Sequence, residues 1–233
     1  MNIQKIANKF RNSKWAIRFL GPLWYPVKYK QLKQNYRDNA TDTLLHAKSC
    51  LENAGLFFWL NFGTLLGAYR ENDFIKHDMD IDISLFAKDV ETAKEALLQG
   101  GFKLFRVFET QGDPTGALLS FIYKGVNLDV YFFVEENNLI SCHSFYWQEE
   151  DDYRFGGATE ASVMKYFFPN SGFTTLLFKE HYFNVPNDIE NYLTVLYGPN
   201  FMKPVKKFDH LHQCRNITKY SKMDKVGVYT AFE

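Results

Sequence analysis

Polar and apolar residues alternate from Asp78 to Leu85, with Asp78, Asp80 and Asp82 set between Met79, Ile81 and Ile83. Alternation of period two predicts a β-strand. Residues i, i+2 and i+4 of a strand share one face, so the three carboxylates crowd together while Ile81, Ile83 and Leu85 enter a core. The run Leu56-Phe57-Phe58-Trp59-Leu60 reads as a buried strand, broken by Gly63-Thr64 before a helix-forming stretch from Leu65 to Arg70. Leu44, Leu45, Ala47 and Leu51 share the face of a helix over 40–54, capped by Thr41 or Asn39 and stopped by Gly55. A second helix spans Lys88 to Gln99, with Val90, Ala93, Ala96 and Leu97 inward. Phe102 to Phe108 forms a strand with Lys103 and Arg106 outward, followed by a turn through Gln111–Gly116. Leu118–Tyr123 and Val126–Val134 form a hairpin bent at Lys124-Gly125. Asn187 or Asp188 caps a helix from Ile189 to Leu196, stopped by Gly198-Pro199.

Like charges at the spacing of Asp78, Asp80 and Asp82 repel, and burying them unpaired is costly. A divalent cation is the simplest remedy, because hard cations take carboxylate oxygens. A tight Gly63-Thr64 turn between strand and helix lets backbone N–H groups approach a phosphate. The order strand, Gly-Thr, short helix, carboxylate strand is similar to the nucleotidyltransferase fold. Three other readings compete. A solvated charge run does not explain the strict apolar interleaving. An EF-hand loop counted from Asp78 needs Gly where Ile83 stands and Glu where Asp89 stands. A glycosyltransferase Asp-x-Asp leaves Gly63-Thr64 unexplained. Asp129 lies inside the apolar run Asn127–Phe133, and a lone charge there needs a partner. If its strand lies beside Asp80–Ile83, Asp129 joins Asp80 and Asp82. His46 reads as structural, and His210 and His212 carry no metal assignment.

Composition narrows the class. The 233 residues are 46% hydrophobic and 18% aromatic, which excludes general disorder. Three scattered cysteines, Cys50, Cys142 and Cys214, without a CxxC pair, argue against structural zinc and fit a reducing compartment. No run approaches the ~18 apolar residues of a membrane span. Net charge is zero, so attraction to nucleic acid is not indicated. The zero hides an asymmetry: residues 1–37 hold nine Lys or Arg and no Asp or Glu, leaving the remainder at net −9. Ile3, Ile6, Ala7, Phe10 and Ile17 fall near one helical face, with Trp15, Phe19, Leu20, Leu23, Trp24 and Tyr25 adding bulk. Residues 1–37 are therefore expected to form a basic amphipathic extension suited to an anionic membrane surface. Arg18 and Pro22 interrupt any signal-peptide pattern. Residues 38–233 form the domain, and the expected location is cytoplasmic, with peripheral attachment at the inner face of the membrane.

Gly63-Thr64-Leu65-Leu66-Gly67-Ala68-Tyr69-Arg70, Phe74-Ile75, His77-Asp78-Met79-Asp80-Ile81-Asp82 and Leu128-Asp129-Val130-Tyr131-Phe132 together resemble the LicD/fukutin family. Phe183–Asp188, Tyr192-Leu193 and Tyr197-Gly198-Pro199 resemble its closing segment, so the likeness covers roughly residues 40–205. Lys76 stands where family members frequently have proline, and the zinc-binding insertion of some members is not apparent. The resemblance implies an α+β fold, a nucleotidyltransferase-like mixed sheet flanked by helices. It implies a phosphotransferase that moves phosphocholine or a polyol phosphate from a CDP-linked donor to a glycan or lipid-linked glycan acceptor. It places Mg2+ or Mn2+ on Asp80, Asp82 and Asp129, with Asp129 completing the site or taking the acceptor's proton. Gly63 and Thr64 then contact phosphate, Arg70 or Lys76 neutralises it, and Asp78 supports the ligands. For a choline donor, Tyr69, Tyr131, Tyr146, Trp147 and Tyr153 are available as an aromatic cage. A triphosphate-dependent nucleotidyltransferase and a non-catalytic binding relative are the alternatives.

Overall fold

The computed structural model describes residues 14–148, 160–205 and 208–232, with side chains from Tyr29 onward except that of Pro114. The apolar face expected for residues 1–25, the Glu149–Arg154 acidic stretch and Tyr153 lie outside the described residues and side chains.

Helix α1 runs Lys14–Asn53. The expected start near Asn39 or Thr41 is not observed; the helix crosses residue 37 without a break. Tyr36, Ala40, Leu44, Ala47 and Leu51 are buried along it, the 3.6-residue stripe of a core-facing helix. Asn39 and Thr43 instead donate to the backbone oxygens of Lys124 and Tyr123 at 3.3 and 3.4 Å. His46 packs against both Phe102 and Tyr123 and donates Nε2–H to the Gly100 carbonyl at 2.7 Å, a structural role.

The other elements follow as β1 (Phe58–Leu60), α2 (Phe62–Glu71), β2 (Asp80–Phe86), a 3-10 turn (Ala87–Asp89), α3 (Val90–Gln99), β3 (Lys103–Thr110), β4 (Asp113–Tyr123), β5 (Val126–Glu136), β6 (Leu139–Tyr146), β7 (Glu160–Pro169), β8 (Phe173–Phe178), β9 (His181–Pro186), α4 (Ile189–Tyr197), α5 (His210–Gln213), β10 (Ile217–Lys219) and β11 (Val226–Ala231). This is the expected α+β architecture, a large mixed sheet with helices against it. The β4–β5 hairpin bends at Lys124-Gly125, both with positive φ (48° and 76°), as a tight two-residue hairpin turn requires.

The sheet runs β10-β7-β11-β3-β4-β5-β2-β1-β9-β8, and β6 joins β5 to β7. Six antiparallel strands therefore close into a ring: β5, β6, β7, β11, β3 and β4. One edge of β5 serves two partners. Asn127–Phe133 pairs in parallel with β2, and Phe133–Glu136 pairs with β6. β2 leaves the ring at this fork, and the site forms there. On its other edge β2 pairs with β1 antiparallel, Leu60 opposite Ile83. Ile81, Ile83 and Leu85 are fully buried while Asp80 and Asp82 are only partly so, which is the predicted alternation. No described helix is long and apolar enough to cross a membrane.

Candidate active site

Asn61 turns the chain from β1 into α2. Its N–H donates to the Asp82 carbonyl at 3.2 Å. Its Oδ1 accepts the Phe62 N–H and the Tyr192 hydroxyl, and its Nδ2 donates to Ser84 Oγ at 2.8 Å. A buried amide with this many partners fixes the corner. Phe62 then takes φ +42°, a left-handed conformation rare for a bulky side chain. Its ring packs 4.5 Å from Tyr131 and 5.3 Å from Tyr166.

Gly63 and Thr64 belong to the first turn of α2, rather than to a separate turn before it as the sequence suggested. Both bind Asp82. The Gly63 N–H donates to Asp82 Oδ2 at 3.1 Å, and the Asp82 N–H donates to Thr64 Oγ1 at 2.9 Å. Thr64 is 2% exposed, so its hydroxyl holds the carboxylate strand in place. Gly63 lines an open cleft of about 610 Å³ with Asp78, Asp80 and Asp82. A Cβ on Gly63 would stand 2.7 Å from Asp78 Oδ2 and 3.3 Å from Asp82 Oδ2. Only glycine leaves those two carboxylates room to converge. Asp78 precedes β2, its N–H donating to the Ile75 carbonyl at 3.0 Å.

Parallel pairing sets Asp82 opposite Asp129 and Asp80 opposite Asn127. The expected neighbour relation of β5 and the carboxylate strand is therefore observed. Burial, with repulsion from Asp129 and Asp78, raises the Asp80 carboxyl to about 7. Burial, then Asp80, Asp129 and Asp78, pushes Asp82 well above the usual carboxylate range. Burial raises Asp78 as well. From α1, buried Tyr36 is held protonated by its own burial and by the same carboxylates.

The cation beside them comes from an unexpected strand. Arg106 on β3 was expected to point outward. It is register partner of Ser120, which is partner of Asp129. The row across the sheet reads Arg106, Ser120, Asp129, Asp82. The guanidinium lies along it: Nε donates to Ser120 Oγ at 2.8 Å, and Nη2 donates to Asp129 Oδ2 and Oδ1 at 3.0 and 3.3 Å. The sequence signal for this was faint, an arginine at an ordinary strand position.

Arg70 lines the cleft but is committed elsewhere. Nε and Nη2 donate to Glu71 Oε1, and Nη1 donates to the Phe201 carbonyl at 3.1 Å. Lys76 is exposed and outside the lining, whereas His77, Lys203 and His210 belong to it. Of the five aromatics considered for a cage, Tyr131 and Tyr146 line the cleft. Tyr69 donates to Glu190 at 2.7 Å, and Trp147 packs against Phe108 and Tyr229. Tyr166, Tyr197 and Phe208 supply aromatic lining that the sequence did not single out.

As the side chains stand, no three described His, Cys, Asp or Glu residues form a ready-made metal cage. The donor set nevertheless fits a hard cation. Asp80 and Asp82 are oxygen donors, mutually repelling and short of hydrogen-bond donors, and their convergence with Asp78 is protected by Gly63.

A strand-to-helix corner that holds a carboxylate strand against a parallel strand bearing a further carboxylate defines a nucleotidyltransferase-type domain. The comparisons agree. The model of the LicD/FKTN/FKRP family, nucleotidyltransferase domain, matches residues 55–188, and the chain belongs to this family. Ribitol-5-phosphate transferase FKTN of Homo sapiens is 31% identical over 187 residues, which is 78% of this chain and 37% of that protein. Ribitol 5-phosphate transferase FKRP of Homo sapiens is 37% identical over 54 residues, 23% of this chain and 11% of that protein. The chain thus spans well under half the length of these relatives. Among solved structures, the lincosamide antibiotic adenylyltransferase LnuA aligns with a TM-score of 0.40 at 17% identity, covering 62% of this chain and 78% of that one.

Proposed function

We propose that the chain is a metal-dependent phosphotransferase that moves a polyol phosphate or phosphocholine from a CDP-linked donor to a sugar hydroxyl of a glycan or lipid-linked glycan. The observation that carries this reading is the register of Asp82 with Asp129, beside an open cleft that Gly63, Asp78, Asp80 and Asp82 line. The acceptor oxygen bonds to the phosphorus distal to cytidine, the P–O bond to CMP breaks, and the hydroxyl proton leaves to a base. Asp80, Asp82 and Asp129 would hold Mg2+ or Mn2+, which supplies charge stabilisation at the phosphoryl group. Asp78 crowds the cluster beside Asp82 at Gly63. Thr64 and the Gly63 N–H fix Asp82, and the phosphates lie along that first turn of α2. Lys203 lines the cleft as a cationic group and His77 lines it beside Asp78, while Arg70 fastens α2 to Phe201. Lys76, exposed on the loop before Asp78, is placed to meet a donor as it enters. FKTN and FKRP are ribitol-5-phosphate transferases, which favours a polyol phosphate over phosphocholine. Residues 1–37 would hold the domain at an anionic membrane surface. A thermal-shift series with CDP-ribitol, CDP-glycerol, CDP-choline, UTP and ATP, each with magnesium or manganese, tests the donor. Stabilisation by a CDP-polyol above the others supports the reading; stabilisation by a triphosphate alone overturns it.

A further inference from the structure

We propose that Arg106 binds the phosphate that is transferred. This rests on the donor reading of the neighbouring cleft, which Asp80 and Asp82 line and Arg106 does not. A diphosphate needs a cation that is close to the carboxylates and has a donor to spare. Arg70 is committed elsewhere: each of its three nitrogens already bonds Glu71 or Phe201, and its side chain is only 7% exposed. Arg106 differs. Nε is taken by Ser120 and Nη2 by Asp129, while Nη1 makes no hydrogen bond within the described residues. Its side chain is 32% exposed while that of Asp129 is 6% exposed, so the guanidinium covers the carboxylate and reaches the surface.

The fastening matters as much as the charge. A guanidinium is a rigid planar fork, so anchoring two nitrogens fixes the direction of the third. Ordering is settled before the ligand arrives, and the ligand does not bear its entropic cost. The rings of Phe105 and Phe108, 5.1 and 6.0 Å from the guanidinium carbon, flank the group further. Asp129 stands in the row between Arg106 and Asp82. A phosphate drawn to a cation on Asp82 and Asp129 therefore arrives beside Arg106. Lysine can replace the charge at this position but not three separately directed donors.

The test is calorimetric titration of CDP, CMP and inorganic pyrophosphate, each with Mn2+, into wild type, Arg106→Lys and Arg106→Gln, with melting temperatures recorded in parallel. A hydrogen bond to a charged group is worth about 1.5–3 kcal/mol, roughly tenfold to a hundredfold in affinity. Both variants should lose about tenfold or more for CDP and pyrophosphate and less than about threefold for CMP. Arg106→Lys should recover much of the melting temperature without recovering diphosphate affinity. Wild-type CDP affinity in Arg106→Lys, or equal losses for CDP and CMP, overturns the assignment and leaves a structural ion pair. Wild type that binds pyrophosphate but not CDP overturns the cytidine donor, and Arg106 is then judged on pyrophosphate. Wild type that binds neither overturns both.

Discussion

Asp82 and Asp129 are register partners across the parallel strands β2 and β5, so two carboxylates stand side by side on neighbouring strands, Asp82 lining the cleft and Asp129 buried behind it. Only one has a strong cationic partner. Arg106 meets Asp129 at 3.0 Å, whereas Asp82 receives the Gly63 N–H at 3.1 Å. The pair sits at the fork where β5 changes partner from β2 to β6. Burial and mutual repulsion therefore act on the β2 side, where Asp80 and Asp82 stand, without a strong cationic partner, and that imbalance makes the site sensitive to pH and to metal.

Stability of the metal-free protein should fall with rising pH because of Asp80. Its folded pKa of about 7 exceeds the unfolded value of about 3.9. The folded chain keeps a proton that the unfolded chain has lost. This contribution is full below about pH 4 and is lost as pH rises through about 7. Asp80→Asn should flatten that decline in chelator by up to a few kcal/mol, and Mn2+ should reverse it in wild type only. Melting curves across the window check this. An identical pH slope in wild type and Asp80→Asn would contradict it.

Gly63→Ala should separate activity from stability. The new Cβ meets Asp78 Oδ2 at 2.7 Å and Asp82 Oδ2 at 3.3 Å, so the carboxylates must part. Alanine gains about 0.8–1 kcal/mol of helix propensity over glycine, which offsets part of the strain. Turnover should drop by about tenfold or more, with Mn2+ affinity falling alongside and the melting temperature changing little. Unchanged Mn2+ affinity would show that the crowding is irrelevant to the site.

Legibility in the sequence depends on how local each signal is. Asp80 and Asp82 announce themselves because strand alternation is local, whereas Asp78, which shares the pattern, lies before β2; the Lys124-Gly125 bend is read from the glycine that follows an apolar strand. Asp129 could be placed because a charge inside the apolar run Asn127–Phe133 demands a partner. Arg106 could not, since its role depends on three strand registers that join residues far apart in sequence. The C-terminal strand was not legible for the same reason. Val226–Ala231 is short and polar-flanked, yet β11 fills the gap between β3 and β7 and closes the ring. Asn39 looked like a helix cap, but it lies in mid-helix and binds Lys124 of the hairpin turn.

That ring carries its own acid sensitivity. His143 on β6 lies 3.2 Å from Lys225 at the start of β11 and 3.7 Å from Asp113 on β4, with Lys165 and Glu136 also facing it. Burial, then the Lys225 charge, lowers its pKa to about 4. The unfolded chain takes up a proton near pH 6.5 that the folded one refuses until about 4. Stability should therefore fall as pH drops through this window, by up to about 3 kcal/mol. This opposes the Asp80 effect, so each is read as a difference from its own variant. His143→Asn should remove the acid-side decline. A decline of wild-type steepness in that variant would assign it elsewhere.

The membrane expectation needs a cut that respects α1. Tyr36 is 5% exposed and packs against Phe74 at 5.6 Å, so removing residues 1–37 would damage the domain. Deleting residues 1–28 removes six Lys or Arg and spares Tyr36. Each basic residue near an anionic surface is worth about 1 kcal/mol, so the truncated protein should leave anionic vesicles while retaining its melting temperature. Equal sedimentation of both forms with vesicles would contradict the assignment.

The most direct measurement of the central claim is nucleotide analysis after incubation with a CDP-polyol donor, a glycan acceptor and magnesium. Wild type should accumulate CMP only when acceptor is present, and Asp82→Asn and Asp129→Asn should lower the rate by about a hundredfold or more while remaining folded. Pyrophosphate release from a nucleoside triphosphate, with no CMP from any CDP-linked donor, would contradict the account and assign the site to nucleotidyl transfer.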